Sequence, residues 1–443
     1  MEKENAYNLP ITFKNILKFS IPTIIMTLFM SFYTMVDGLF VSNLIGTDAL
    51  SAINLTAPII SLVTAISTML ATGGSAVIMI KMGEQKEKEA NEDFTFFIIV
   101  NIIVGIVMSG LGYMTMDKIF NSMSLSTAVF NYCHNYLSYY LLFTIPILLM
   151  NNFTIYMIAS GKSNLSMVCS IAGGILNIVL DYVFIKVFGF GIEAAAVATG
   201  LGYTVTAVVG VIVFSRRNNM IHFVKPVFRF KTLMHATVNG SSEMATTLVT
   251  GIVTMLFNWT MLKYVGENGV AAITIIMYVL MFATSIYTGY SYGISPMISY
   301  NYGAENKDNL KKLVKKSLTI IAVIAVSAII LSLAMTENLV SVFTHPSNPV
   351  YDLAVTGNKI CSIALLIIGF NVFASSLFTA LSNGLISAVI AFSRSFVFMV
   401  IAMLILPALF GVNGIWFATP VAEAAAFILS SILFFKYRKK YQY

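Results

Sequence analysis

The sequence predicts an all-α integral membrane protein of twelve spanning helices in two six-helix lobes. Composition, the length of the apolar runs and an internal repeat carry that expectation. Hydrophobic residues make up 58% of the 443-residue chain and charged residues 10%, against roughly 25% charged in a soluble domain. So few charges cannot furnish a water-facing surface, and the apolar surface must face lipid. A bilayer core of about 30 Å needs about 20 helical residues, and apolar runs of that length recur along the chain. Barrel strands would be about ten residues of alternating polarity, which these uninterrupted runs are not.

Taken in order, the first run, 16–45, follows the polar start Met1–Lys14. It is longer than the apolar region of a cleavable signal and lacks a small-residue cleavage site, so it is expected to stay as helix 1. Runs at 51–80, 94–117, 131–158, 164–186 and 190–214 supply helices 2–6 and complete an N-lobe of residues 1–214. The longest polar stretch, Ser215–Lys231, holds Arg216, Arg217, Lys225, Arg229 and Lys231 and reads as a cytoplasmic linker, assigned to 215–235. Runs at 236–262, 269–302, 309–335, 352–380, 384–407 and 411–436 supply helices 7–12 of a C-lobe, 236–443. Pro22, Pro58, Pro146 and Pro296 fall within spans and are candidate kinks.

With both termini cytoplasmic, 21 of the 26 Lys and Arg residues fall on the inner side. Lys118, Lys186, Lys263 and Lys359 lie outside, and Arg394 lies within a helix. This asymmetry sets orientation, and it assigns Lys311, Lys312, Lys315, Lys316 and Arg438–Lys440 to topology and anionic lipid contact rather than nucleic acid. Cys133, Cys169 and Cys361 are scattered and odd in number, so neither a disulfide framework nor a zinc site is implied.

The halves repeat at a spacing of 220 residues. Gly46, Ala52 and Ile53 recur as Gly266, Ala272 and Ile273; Gly73, Ser75, Ile78 and Gly83 recur as Gly293, Ser295, Ile298 and Gly303. Further on, Gly191, Ala198, Thr199 and Phe214 recur as Gly411, Ala418, Thr419 and Phe434. Six helices per lobe give both lobes one orientation, related by a pseudo-twofold axis along the membrane normal. In transporters of that plan the substrate site lies between halves that rock against each other.

Enzyme signatures fail on inspection. Gly161-Lys162-Ser163 ends like a phosphate loop, but Tyr156 stands where its first glycine belongs. Gly189–Ala194 fits a loose dinucleotide fingerprint yet lies between spanning helices rather than after a strand. The four histidines lie in separate segments, and no nucleophile–base constellation is legible. An ATP-driven pump is unsupported, which leaves an ion gradient as the energy source.

Ionisable residues at membrane depth default to function. Asp37 in helix 1, Asp181 in helix 5, Asn177 one helical turn from Asp181, and Thr199 entering helix 6 all reach comparable depth on the outer side of the N-lobe. Their oxygens suit a sodium ion, and their carboxylates, raised in pKa by desolvation or by each other, equally suit a proton. At the 220 spacing these positions become Phe257, Ile401, Val397 and Thr419, so the C-lobe lacks the acidic pocket. It carries Glu243, Arg394 and Glu423 instead. Arg394 and Glu423 read as a structural ion pair, while Glu243 and Tyr33 are the candidate substrate contacts.

These residues resemble the multidrug and toxic compound extrusion (MATE) family along nearly the whole chain. The matching stretches are Asp37-Gly38-Leu39-Phe40-Val41-Ser42-Asn43-Leu44-Ile45-Gly46 with Ala49-Leu50-Ser51-Ala52, and Pro296-Met297-Ile298-Ser299-Tyr300-Asn301-Tyr302-Gly303-Ala304. Leu176–Asp181, followed by Gly191 and Ala194–Ala196, resembles the DinF-like, MepA-like bacterial branch. The resemblance implies the MATE fold, with two lobes around a central cavity, and alternating-access export of amphipathic organic cations against Na⁺ or H⁺. It places the N-lobe cation site on Asp37, Asn177, Asp181 and Thr199. Another branch relies on acids in helices 7 and 10; here helix 10 carries Asn371 in that region. The expected partners are small organic cations and membrane lipids, with no cofactor beyond the coupling ion, a monomeric state and a bacterial-type plasma membrane location. The alternative is a flippase for a lipid-linked oligosaccharide, which would need a cationic cavity; a channel or a membrane enzyme fits less well.

Overall fold

The computed structural model describes Tyr7 and residues 9–45, 47–123 and 125–443, with 37–44, 47, 48 and 50 described by backbone alone. The first half holds α1 (Phe13–Leu44), α2 (Thr47–Gly83), α3 (Glu87–Ser122), α4 (Thr127–Leu142 followed by Thr144–Ala159), α5 (Ser163–Val187) and α6 (Glu193–Phe214). The second holds α7 (Phe230–Tyr264), α8 (Glu267–Gly303), α9 (Lys307–Ala334), α10 (Pro349–Ala380), α11 (Gly384–Phe410) and α12 (Val412–Tyr441), with a short helix, Thr336–Ser341, between α9 and α10. Among the described residues, 11 helices are each long and apolar enough to span, and the bent α4 completes the twelve that the sequence predicts.

Several helices outrun their apolar segments. The helix α3 begins at Glu87 and α7 at Phe230, so the connection between halves is 215–229 rather than the expected 215–235. Hydropathy marks the stretch that lipid touches; backbone hydrogen bonding carries the helix on into the polar interface, where residues such as Lys231 and His235 still fit its surface. The two parts of α4 meet at 55°. Pro146 has no N–H to return to the carbonyl of Leu142. Thr144 Oγ1 instead donates to the carbonyl of Leu141 at 2.9 Å. The ring of Phe143 fills the corner so closely that a Cβ on Gly200 would lie 2.1 Å from it. Pro22, Pro58 and Pro296 stay inside unbroken helices. The helical hydrogen-bond pattern changes instead at a 3₁₀ turn at Ser362–Ala364 in α10, and at π turns at Tyr182–Val187 in α5 and Ser393–Val397 in α11. Turns of that last kind concentrate at functional sites.

The halves meet through α2 on α7 and α1 on α8, two contacts that exchange when the halves are exchanged, and through α2 on α8. Glycine makes the approach possible. A Cβ on Gly73 would lie 1.9 Å from the carbonyl oxygen of Ala236, and one on Gly240 would lie 1.9 Å from that of Met69. Gly83 and Gly303 similarly abut the carbonyls of Tyr300 and Ile80, at 2.1 and 2.0 Å. Thr23 Oγ1 donates across the seam to the carbonyl of Gly289 at 2.6 Å, and Thr27 Oγ1 to that of Ser285 at 2.8 Å. Small residues and hydroxyls are what close helix contacts in lipid require. All of these glycines lie toward the basic ends of their helices, so the seam is closed on that side.

Leucine at Gly73 cannot be accommodated without parting α2 from α7. Gly73→Leu should cost about 1–3 kcal/mol of the closed seam or more. The expected result is a lowered thermal midpoint of the purified protein, together with increased labelling of a cysteine placed at Ser75 from the basic side. The natural cysteines are buried and do not confuse that readout.

Candidate functional site

In the first half, α5 and α6 run backbone to backbone. A Cβ on Gly173 would lie 2.5 Å from the carbonyl oxygen of Gly202, and one on Gly202 would lie 2.6 Å from that of Gly173. That approach brings Asn177 Nδ2 to donate to Thr199 Oγ1 at 3.0 Å, with both residues buried. Asn177 Oδ1 is buried with no hydrogen-bond partner among the described residues. Asp181 follows one turn further along α5, 1% exposed, immediately before the π turn.

A cavity of about 10 Å³ is lined by Met30, Tyr33, Met150, Asn177, Thr199 and Tyr203 among others. That is close to the least space that holds one water-sized particle. The structure therefore joins Asn177, Thr199 and Tyr33, with Asp181 one turn along. Asp37 lies on α1, but its side chain is outside the described residues. An amide oxygen without a partner among the described residues and a hydroxyl line this space. Together with a carboxylate one turn along, they offer the oxygen donors that suit a small hard cation, or a proton on the carboxylate. Among the described residues, no group of three or more His, Cys, Asp or Glu forms a metal centre.

The second candidate substrate residue, Glu243 on α7, does not share that cavity. It lines a separate one of about 20 Å³ with Thr72, Ser75, Tyr292, Ser295 and Thr379, between α2, α7, α8 and α10. A chain of hydroxyls missed in the sequence lies beside it: Ser242 to Thr379 at 3.3 Å, Thr379 to Ser387 at 2.7 Å and Ser387 to Ser375 at 2.9 Å. The only sequence signal for it was Ser375 and Thr379, four residues apart on one apolar helix.

Arg394 and Glu423 form the expected ion pair. Arg394 Nε donates to both carboxylate oxygens, at 2.8 and 3.0 Å. Asn371 Nδ2 completes the cluster by donating to Glu423 Oε2 at 2.7 Å. The two halves are in register here at 221 residues. Ser166 donates to the carbonyl of Thr154 in the first half and Ser387 to that of Ser375 in the second, positions 166 to 387 and 154 to 375. In that register Asn371 and Arg394 match Met150 and Gly173, while Glu423 matches Tyr203 one residue earlier in step. All three counterparts line the first-half cavity. The C-lobe thus places a guanidinium–carboxylate pair where the N-lobe leaves a space.

On the basic side, Asp93 is fully buried and accepts from Lys81 Nζ at 2.5 Å and Arg229 at 3.0 Å, while Arg229 also reaches Glu92 at 2.5 Å. Burial opposes the charge on Arg229, and the hydrogen bonds to Glu92 and Asp93 outweigh it, so its pKa is raised. The sequence marked these cations only as topology signals. Their partners tie α2 and α3 to the segment entering α7.

The family model described as MatE matches residues 22–183 and again 243–405, one copy per half. A multidrug export protein MepA of Staphylococcus haemolyticus is 24% identical over 430 residues, covering 97% of this chain and 94% of that protein. A MepA of Staphylococcus aureus strain RF122 is 23% identical over 432 residues, with the same 97% and 94% coverage. Among solved structures, a MATE protein in complex with MaL6 superposes with a TM-score of 0.94 at 21% identity, covering 100% of this chain and 99% of that one. An outward-facing multidrug resistance MATE family transporter superposes at 0.93, also at 21% identity and with the same coverage.

Removing one partner of the second-half ion pair strands the other in an apolar interior, which costs about 3–5 kcal/mol. Arg394→Leu should therefore lower the thermal midpoint sharply. The Arg394→Leu/Glu423→Leu double variant should recover most of that loss in the same thermal melt.

Proposed function

The chain belongs to the MatE family, and from that premise we propose that it is a secondary active multidrug efflux antiporter exporting amphipathic organic cations in exchange for Na⁺ or H⁺. The observation that carries this reading is the buried N-lobe pocket, where Asn177 donates to Thr199 and its oxygen has no hydrogen-bond partner among the described residues, with Asp181 one turn along α5. Buried polar groups in lipid are expensive and are usually retained for function. The names of the MepA relatives support multidrug export as the task.

In this reading both termini are cytoplasmic and the seam of Gly73, Gly83, Gly240 and Gly303 is the inner gate. A cation arriving from outside fills the N-lobe pocket, with the Asp181 carboxylate neutralising it and the Asn177 and Thr199 oxygens replacing part of its water. Its binding favours the state with the inner gate closed, from which substrate leaves outward. Return to the inward-facing state then parts the seam, releases the ion inward and admits substrate from the cytoplasm. Coupling of this kind requires each ligand to bind the two states with different affinity. Glu243, on the inner side, is positioned to attract the cationic group of the substrate. The flippase alternative is not favoured: Arg394, the one Arg or Lys deep in a helix among the described residues, is neutralised by Glu423 and offers no cationic centre for a pyrophosphate.

The test is efflux of a fluorescent organic cation from vesicles under a sodium gradient or a pH gradient imposed separately. Wild type should respond to one of the two, and Asp181→Asn should abolish the response while the protein remains folded. Asn177→Ala should weaken ion dependence by about 1–3 kcal/mol, roughly 5- to 150-fold in the half-saturating ion concentration. Wild-type efflux in Asp181→Asn, or no response to either gradient, would sink the antiport reading.

A further inference from the structure

Away from the site, the two halves differ in one packing detail. In the first half Phe153 is fully buried between α4 and α6 and stacks on Phe214 at a centroid distance of 5.5 Å. A Cβ on Gly210 would lie 2.2 Å from its ring. The hydrogen bonds that set the register carry Thr154 onto Ser375, and so Phe153 onto Ala374. Gly210 and Phe214 become Ser430 and Phe434 at the 220 spacing. A methyl group therefore stands where the first half has a ring, and the space is left open. It forms a groove of about 230 Å³ floored by Phe370 and Ala374 of α10 and walled by Leu318 of α9 and Phe427, Ser430 and Phe434 of α12.

Two further features define what fits there. Ser430 is 3% exposed, and its hydroxyl is buried with no hydrogen-bond partner among the described residues; apart from Ser430 and Ser431 the lining is apolar. Below the groove, the same helix faces end in cations. Lys315 and Lys311 precede Leu318 by one and two turns, and Arg438 follows Ser430 by two, which puts them about 5–12 Å nearer the basic side of the membrane. All three are exposed, and with Lys307, Lys312 and Lys316 they outnumber Glu305 and Asp308. Arg438 Nε is anchored on the carbonyl of Tyr443 at 3.2 Å.

We propose that this groove binds an anionic phospholipid of the leaflet on the basic side. One acyl chain lies over Ala374, and the phosphate sits among Lys311, Lys315 and Arg438. The cations favour an anionic headgroup, and they repel the cationic amphiphiles proposed above as substrates.

Native mass spectrometry of the full-length protein in mild detergent, with equal phosphatidylglycerol and phosphatidylcholine added, tests this. Wild type should retain phosphatidylglycerol at about one per chain and at least tenfold over phosphatidylcholine. Ala374→Phe, which restores the first-half ring, should lose it. Should Ala374→Phe fail to fold, the exposed Lys311→Gln/Lys315→Gln pair decides alone, by erasing the preference between the two lipids. Equal retention of both lipids by wild type, an unchanged preference in the lysine variant, or undiminished phosphatidylglycerol on folded Ala374→Phe would each overturn the proposal. So would tetraphenylphosphonium held in place of lipid and lost in Ala374→Phe.

Discussion

The architecture depends on the approach of main chain to main chain where the halves meet. Gly73, Gly83, Gly240 and Gly303 each put an α-carbon where a side chain would collide with a carbonyl of the other half. In lipid there is no hydrophobic force to press helices together, so contact rests on close packing and hydrogen bonding. The Thr23 and Thr27 hydroxyls supply the latter across α1 and α8. Everything placed by α1, α2, α7 and α8, including Tyr33 on one side and Glu243 on the other, takes its position from this seam.

Within that frame the halves have diverged in what they bury. The first keeps a space of about 10 Å³ beside Asn177 and Thr199. The second fills the corresponding place with Arg394, Glu423 and Asn371. The reverse holds further toward the basic side, where Phe153 fills the first half and Ala374 leaves the second open. Divergence at single positions thus gives each half its own cavity without disturbing the shared helix plan.

The repeat was legible because the seam demands glycine twice: Gly73 and Gly293, and Gly83 and Gly303, recur for a steric reason that substitution cannot evade. The break in α4 was legible from Pro146. The start of α7 was not, since the apolar run begins only after the helix is under way. Of the N-lobe residues, the meeting of Asn177 and Thr199 was readable from helical spacing, because the turn between α5 and α6 is short enough to bring Thr199 back; the side chain of Asp37 lies outside the described residues. Asn371 with Glu423, and Asp93 with Lys81 and Arg229, could not be paired by inspection. Their partners lie 52, 12 and 136 residues away, on helices whose adjacency only the fold decides.

The Arg394–Glu423 pair has an electrical consequence. Held at 2.8 Å, guanidinium and carboxylate travel as one neutral body, so membrane voltage does no net work on them however far the C-lobe tilts. Voltage acts instead on charges not cancelled on the spot, at about 2.3 kcal/mol per elementary charge for each 100 mV crossed. The pair therefore adds no electrical cost to movement of the second half. In the proposed exchange, that work would fall on the coupling cation itself and not on the paired guanidinium and carboxylate.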